Sequence, residues 1–188
     1  MIGWDLPYSV VLLGKRYEFR WDYRDVLDIF TYFEDPDLPE YFRWQIALGL
    51  FYKDEIPADC RLEAMEYLSF FIRGGQPEEK GPARKLIDWE LDAPLIAADI
   101  NKVAGVEIRA LPRLHWWTFL SYFFAIGEGQ LSTVLSIREK RFRGKPLEKW
   151  EQEFYQAHRE RIDLKTRYSK QELEQRARLE KLLVANEK

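Results

Sequence analysis

A chain of 188 residues with 46% hydrophobic and 15% aromatic residues can form one globular domain and is too apolar to be disordered throughout. Its net charge of −3 is unevenly divided, because residues 138–188 hold 15 Lys and Arg against 10 Asp and Glu, while residues 1–137 hold 14 against 22. Cys60 is the only cysteine, which excludes an internal disulfide, and no apolar run reaches the about 20 residues that span a membrane. The start of the chain lacks the basic and apolar regions of a signal peptide, so we expect a soluble, cytoplasmic protein.

The first elements predicted are two short β-strands. The β-prone runs Val10–Leu13 and Arg16–Phe19 flank Gly14 and Lys15. A Gly-X pair between two such runs is typical of a β-hairpin with a type II′ turn. Tyr17 and Phe19 alternate with charged residues, so one face of the hairpin is expected to be buried.

Five helices are predicted next, from apolar residues at helical spacing. The first begins at the N-cap Asp22, the second covers residues 40–52, the third follows Pro57 and ends at Gly74, the fourth runs from Asp92 to Gly105, and the fifth covers Leu114–Ile126. Residues 76–85 predict a polar loop, and Val106–Arg109 predict a short extended link. The side chains expected to face the core from the first four helices are Val26, Leu27, Ile29, Phe30, Phe33, Phe42, Ile46, Leu50, Phe51, Leu62, Met65, Tyr67, Leu68, Phe71, Ile72, Leu95, Ile96 and Ile100.

The fifth predicted helix has the highest aromatic content in the chain. Each Trp or Phe buries roughly 150–250 Å², so this segment must be core, interface or both. Trp116 and Trp117 point about 100° apart on a helix. We therefore expect a central helix that packs on more than one side, with His115 as a hydrogen-bonded structural residue.

A basic cluster follows the break at Gly127–Gly129. A short helix from Leu131 to Ile137 leads into Arg138, Lys140, Arg141, Arg143 and Lys145, which surround Phe142. Basic residues around an aromatic can bind nucleic acid, but Glu139 and Glu148 dilute this cluster, and a helix C-terminus attracts cations by itself. We do not expect nucleic-acid binding.

After Pro146 the pattern becomes heptad-like, with Leu147, Trp150, Phe154, Ala157, Arg161, Leu164 and Tyr168 spaced 3 and 4 apart. This spacing predicts a helix-pairing seam, which either folds back on the core or meets another subunit or a client helix. The candidate partner-binding residues are Leu147, Trp150, Phe154, Leu164 and Tyr168. Ser169 and Glu172 predict a capping box for a last helix.

The predicted fold is mainly α, a helical bundle with a small N-terminal β-hairpin and a helical C-terminal extension. Residues 1–145 form the body, and residues 146–188 form a charged amphipathic extension.

No catalytic or metal-binding pattern stands out. His115, His158 and Cys60 are too few and too scattered for a zinc site or an evident nucleophile–base pair. The acidic pairs, such as Asp88 with Asp92, are more simply interpreted as helix caps. Gly127–Gln130 lacks the features of a phosphate-binding loop. We expect no enzymatic activity, no cofactor and no metal.

Several segments carry a family pattern. Asp88–Ala93 reads Asp-Trp-Glu-Leu-Asp-Ala and is followed by an apolar helix and then by Leu-His-Trp-Trp-x-Phe at Leu114–Phe119. Asp22, Arg24 and Phe30 lie in an opening helix, Phe70–Gly74 end in a glycine break, and Ser136–Arg141 lead into a charged tail. Taken in chain order, these segments resemble the phage gene-product-fifteen family of tailed-phage proteins. The motif residues, expected to be mostly core, are Asp88, Asp92, Leu114, His115, Trp116, Trp117 and Phe119.

The resemblance implies a tail assembly chaperone, encoded next to the tape-measure protein. Such a protein would bind and solubilise the long helical tape-measure protein until tail-tube subunits polymerise around it. It would act without catalysis, as a homo-oligomer in the cytoplasm of the infected or prophage-carrying bacterium, with the tail-tube protein as a further candidate partner. The alternative is a structural virion component, such as a head–tail connector or tail-completion protein.

Overall fold

The computed structural model describes the backbone of residues 4–78 and 85–186, and the side chains up to residue 178. The fold is mainly α with one N-terminal β-hairpin, which confirms the predicted class. The hairpin consists of β1 (Ser9–Leu12) and β2 (Lys15–Glu18). The helices are α1 (Tyr23–Phe33), α2 (Glu40–Phe51), α3 (Arg61–Ile72), α4 (Ala93–Ala104), α5 (Trp116–Phe124), α6 (Gln130–Phe142), α7 (Lys149–Ala157), α8 (Arg159–Ile162) and α9 (Lys170–Asn186).

The hairpin turn differs from the prediction. Leu12 pairs with Lys15, so the two loop residues are Leu13 and Gly14. Both have positive φ, at 45° and 83°, which defines a type I′ turn in place of the predicted type II′ turn at Gly14 and Lys15. The amide of Leu13 donates to Oε2 of Glu63 at 3.0 Å, which ties the tip of the hairpin to α3.

The core lies between the hairpin and α1 to α6, and Tyr155 of α7 and Ile162 of α8 extend it. Phe19 of the hairpin stacks on Phe51 of α2 at 4.7 Å between ring centroids and contacts Phe71 of α3 at 4.9 Å. Two residues predicted to face this core, Phe42 and Leu62, are instead 54% and 69% exposed. Each lies nine residues before the buried Phe51 or Phe71 of its helix, which places it on the opposite side at about 100° per residue.

The link before α5 is not purely extended, because Ile108–Ala110 form a 3₁₀ turn. The start of α5 is also two residues later than predicted. The amide of Tyr23 donates to the carbonyl of Leu114 at 3.0 Å, and the amide of Trp116 donates to the carbonyl of Trp21 at 2.8 Å. These bonds hold residues 114 and 115 in an extended bridge beside Asp22, so helical geometry begins only at Trp116.

The heptad-like segment does not form one continuous helix. The chain leaves helical geometry at His158 and again at Asp163. The buried side chains of this segment are Glu151, Tyr155 and Ile162, which lie outside the predicted seam. Of the seam residues, Leu147 and Phe154 are partly buried against the core. The capping box of α9 is present, with the Ser169 amide donating to Glu172 Oε2 at 2.8 Å.

The loop predicted at residues 76–85 falls partly outside the described residues. Within the part of the chain that the structure describes, no helix has both the length and the apolar character needed to cross a bilayer.

Candidate binding surfaces

The two tryptophans of α5 close the C-terminal end of α3. The indole N–H of Trp116 donates to the carbonyl of Ile72, and that of Trp117 donates to the carbonyl of Phe71, each at 2.9 Å. The last carbonyls of a helix lack the usual amide partner four residues on, so the Trp116 bond satisfies the carbonyl of Ile72. The carbonyl of Phe71 also accepts the amide of Gly74 at 3.0 Å, and Trp117 adds a second bond to it. Of the seven motif residues, Trp117 is half-buried and the other six are buried.

His115 is the N-cap of α5 and uses both ring nitrogens. Nδ1 accepts the amide of Trp117 at 3.1 Å, so the proton lies on Nε2, which donates to the carbonyl of Pro7 at 2.9 Å. Burial lowers the pKa of the His115 imidazole below its ordinary value, and the bond to Pro7 opposes that shift. Its ring stacks on Trp21 and is 4% exposed. The arrangement is a structural joint and does not resemble a catalytic base.

Asp22 and Arg24 clamp the segment before α5. The Asp22 carboxylate accepts the amides of Arg24 at 3.0 Å and Leu114 at 2.8 Å, so it caps α1 and holds the approach to α5 together. The Arg24 guanidinium bonds this carboxylate and donates to the carbonyls of Arg109 and Leu111.

The Arg138 guanidinium, which pairs with the motif residue Asp92, has a hydrogen-bond acceptor for each of its N–H groups. Arg138 of α6 is 6% exposed and pairs with Asp92, through Nη1 to Oδ2 at 2.6 Å and Nη2 to Oδ1 at 2.9 Å. Its three remaining N–H groups donate to the carbonyls of Leu86, Arg161 and Ile162. All five donors of the guanidinium are therefore matched. Asp92 does not cap α4 with its side chain, so the helix-cap interpretation of this carboxylate is wrong.

Three more residues of the basic cluster, Lys140, Arg141 and Arg143, have partners inside the protein. Lys140 bonds both carboxylate oxygens of Glu151, at 2.6 and 2.7 Å, and Arg143 pairs with Glu139. Arg141 lies 4.0 Å from the ring centroid of Tyr155. The contacts of Lys140 and Arg141 join α6 to α7, and that of Arg143 lies within the end of α6.

The five candidate partner-binding residues do not share one face. Leu147 lines an open groove of about 920 Å³ beside α7, Trp150 is 53% exposed, and Phe154 is half-buried against His158. Leu164 and Tyr168 lie beyond α8 in a non-helical segment. Of the five residues, the structure brings only Leu147, Trp150 and Phe154 near one another.

A second apolar surface lies between α2 and α3. A groove of about 330 Å³ is lined by Glu40, Tyr41, Trp44, Gln45, Leu48, Arg61 and Met65. Tyr41 is 60% exposed, and its ring contacts that of the exposed Phe42 at 5.5 Å. Sequence reasoning missed this surface because it gave no role to Tyr41, Trp44 and Leu48, which line the groove at spacings of three and four residues. The available signal was that α2 carries large apolar residues on every side, which a helix with one buried face does not need.

Within residues 4–78 and 85–178, no group of three or more His, Cys, Asp or Glu side chains is placed to hold a metal ion.

Most of the chain matches one known protein family. The family described as Bacteriophage Gp15 protein matches residues 4–164, from just before the hairpin to just after α8. No curated protein and no solved structure matches the chain. The matched region contains every motif residue described above and ends before α9.

Proposed function

Because the chain belongs to the Bacteriophage Gp15 protein family, we propose that it is a tail assembly chaperone that binds the tape-measure protein and keeps it soluble during tail morphogenesis. It acts without catalysis in the cytoplasm of the infected or prophage-carrying bacterium. The tail-tube protein is a candidate second partner, and self-association would let several copies cover one long client.

The observation that carries this proposal is the apolar groove between α2 and α3. Tyr41 lines it and is 60% exposed, and the adjacent Phe42, which contacts the Tyr41 ring, is 54% exposed. Trp44, Leu48 and Met65 supply its walls. Adjacent exposed aromatics on a folded domain mark interaction sites. An amphipathic helix binds such a groove through side chains spaced by three and four residues.

The surface around α7 is a second candidate for the same client. Trp150 is exposed there, and Leu147 lines the neighbouring open groove. Its lining also contains Arg141, Lys149 and Glu153, so it is more polar than the α2–α3 groove. We therefore assign the principal client contact to the α2–α3 groove.

Co-expression with the tape-measure protein tests the proposal. The wild-type chain should raise the soluble fraction of the tape-measure protein and co-purify with it. Replacing Tyr41 and Phe42 by Ser should reduce co-purification roughly tenfold or more, since buried aromatic anchors dominate binding energy. Trp150→Ser measures the α7 surface separately, and Phe124→Ser is the matched control, because Phe124 is 75% exposed outside both surfaces.

Two results would contradict the proposal. One is a tape-measure protein that is equally soluble without this chain or never co-purifies with it. The other is stoichiometric recovery of this chain from purified mature virions, which would favour the structural virion component.

A further inference from the structure

A positively charged cleft lies on the opposite side of the hairpin from the turn, where β2 leads into α1. It has a volume of about 440 Å³ and is lined by Phe19, Arg20, Trp21, Asp22, Arg24, Asp25, Lys53, Pro112 and Arg113. Four cationic and two anionic side chains line it. Residues 1–137 as a whole carry the reverse excess, with 14 Lys and Arg against 22 Asp and Glu. The cleft is therefore a local positive site on an acidic body.

Arg20 is held in place by the backbone before any ligand binds. Nη1 of Arg20 donates to three carbonyls at the end of α2, those of Gly49, Leu50 and Tyr52, at 3.2, 2.8 and 2.9 Å. Its Nε and Nη2 have no acceptor among the residues that the structure describes. Arg113 lies over the ring of Trp21 at 5.5 Å, and no carboxylate in the described ranges forms an ion pair with it. Side chains that are already fixed lose less entropy when they bind.

The guanidiniums of Arg20 and Arg113 both lie close enough to Asp25 to affect its carboxyl group. The pKa of the Asp25 carboxyl is raised, first by burial and then by the charges of Asp22 and Asp28, and the nearby charges of Arg20 and Arg113 oppose this shift without cancelling it. Lys53 is bonded to Glu18 at 2.7 Å, but both side chains are largely exposed, so an incoming carboxylate can exchange with Glu18 at little cost.

From this arrangement we infer that the cleft binds a short acidic peptide segment of a partner protein, with Asp or Glu carboxylates of the segment facing Arg20, Arg113 and Lys53. The planar guanidinium fork matches a carboxylate, and the half-buried Trp21 supplies an apolar floor for the peptide. Nucleic acid fits less well. A long polyphosphate would meet Asp22 and Asp25 in the cleft and the negative charge of the surrounding body.

The inference is tested on the purified full chain by fluorescence anisotropy. The probe is a fluorescein-labelled twelve-residue peptide of alternating Glu and Gly, compared with the same peptide carrying Gln in place of Glu. The Glu peptide should bind, the Gln peptide should not, and raising salt from about 50 to 300 mM should weaken binding because exposed charges are screened.

Variants locate the binding. Arg113→Glu and Lys53→Glu should each weaken binding of the Glu peptide by about fivefold or more, because a favourable pair becomes a like-charge contact. Arg16→Glu makes the same charge change on an exposed strand residue outside the cleft and should leave the affinity unchanged. Circular dichroism confirms that each variant is folded.

Four results overturn the inference. They are the absence of binding to the wild-type chain, equal binding of the Gln peptide, equal weakening by Arg16→Glu, and tighter binding of a single-stranded oligonucleotide of the same charge that Arg113→Glu abolishes. The site shares no residue with the α2–α3 groove. If the cleft does not bind the acidic peptide, the chaperone proposal is unaffected. If the chaperone proposal fails, the inference about the cleft is likewise unaffected.

Discussion

His115 joins three segments of the chain through one imidazole ring. It caps α5 through Nδ1, holds the residues before the hairpin through Nε2, and stacks on Trp21. Only the neutral ring can do this, because protonation would place an N–H on Nδ1 opposite the N–H of Trp117. The lowered pKa that follows from burial agrees with this geometry.

We therefore expect the fold to lose stability in mild acid through His115. Since the folded pKa lies below the ordinary value of 6.5, the contribution of the neutral ring is complete above about pH 6.5 and declines as the pH falls towards the folded pKa. His115→Asn keeps a side chain that can cap α5 and does not titrate. Urea unfolding between pH 7.5 and 5.0 should show a smaller loss of stability in this variant than in the wild type.

His158→Asn is the matched control, because His158 is the other histidine and is exposed. Its pH dependence should follow the wild type. Identical slopes for the wild type and His115→Asn would show that His115 does not titrate with unfolding.

Single residues were the hardest part of the structure to predict. Asp22 as an N-cap and Gly105 as a left-handed helix end depend on local chemistry, and both were predicted from the sequence. Arg138 was placed with its charged neighbours because nothing local distinguishes it from Lys140 or Arg141. Its burial depends on Asp92, 46 residues earlier, and such a pairing leaves no periodic signal in one sequence.

At the scale of secondary-structure elements, the packing of α3 against α5 depends on two glycines. Gly74 and Gly75 both have positive φ, at 67° and 79°, and turn the chain beneath α5. A Cβ atom on Gly75 would lie 2.9 Å from Cη2 of Trp117, whose indole is fixed by its bond to Phe71. The glycines therefore provide both the backbone conformation and the close approach of the two helices.

Gly75→Ala should lower the free energy of unfolding by more than the cost of the left-handed backbone alone. Gly105→Ala is the control, since Gly105 has a φ of 70° with no atom within 4 Å of an added Cβ. That control should lose about 1–2 kcal/mol in the free energy of unfolding, the cost of a left-handed Ala. Gly75→Ala should lose that amount plus about 1–3 kcal/mol for displacing Trp117 from a packed site. Equal losses in urea unfolding would show that α5 moves aside freely.

Elements were predicted where apolar periodicity and breakers agreed. The starts of α1 and α9 follow side-chain caps, α4 begins with Pro94 in its first turn, and the glycine break before α6 is present. The heptad-like pattern after Pro146 failed, because regular spacing does not reveal that a chain leaves helical geometry at His158 and Asp163. The buried side chains of that segment include Glu151 and Tyr155, which the seam does not contain, and Glu151 is paired there with Lys140 and the amide of Glu148.

At the scale of the whole molecule, the segment after Pro146 packs against the body. Tyr155 and Ile162 belong to the same apolar cluster as α1 to α6, and the carbonyls of Arg161 and Ile162 accept from Arg138. By contrast, the described side chains of α9 are exposed, and its start is tied to the body by the amide of Lys170 on Asp37. The division of the chain at residue 145 stays a prediction.

Truncation tests that division. A chain of residues 1–169 should unfold at nearly the same urea concentration as the full chain. A chain of residues 1–145 should be less stable by about 3 kcal/mol or more, because it loses the burial of Tyr155 and Ile162 and leaves donors of Arg138 unmatched. If residues 1–145 are as stable as residues 1–169, the segment after Pro146 is an independent extension, as the sequence predicts.

The hydrogen bonds around Arg138 also constrain the order of folding during synthesis of the chain. The ribosome delivers Leu86 and Asp92 first, Arg138 later, and the carbonyls of Arg161 and Ile162 last. A nascent chain that has not reached residue 162 must keep this guanidinium in water or bury it with two donors unmatched. Final packing of α4 against α6 therefore waits for a segment made more than twenty residues after Arg138, so the last step of folding follows translation of that segment.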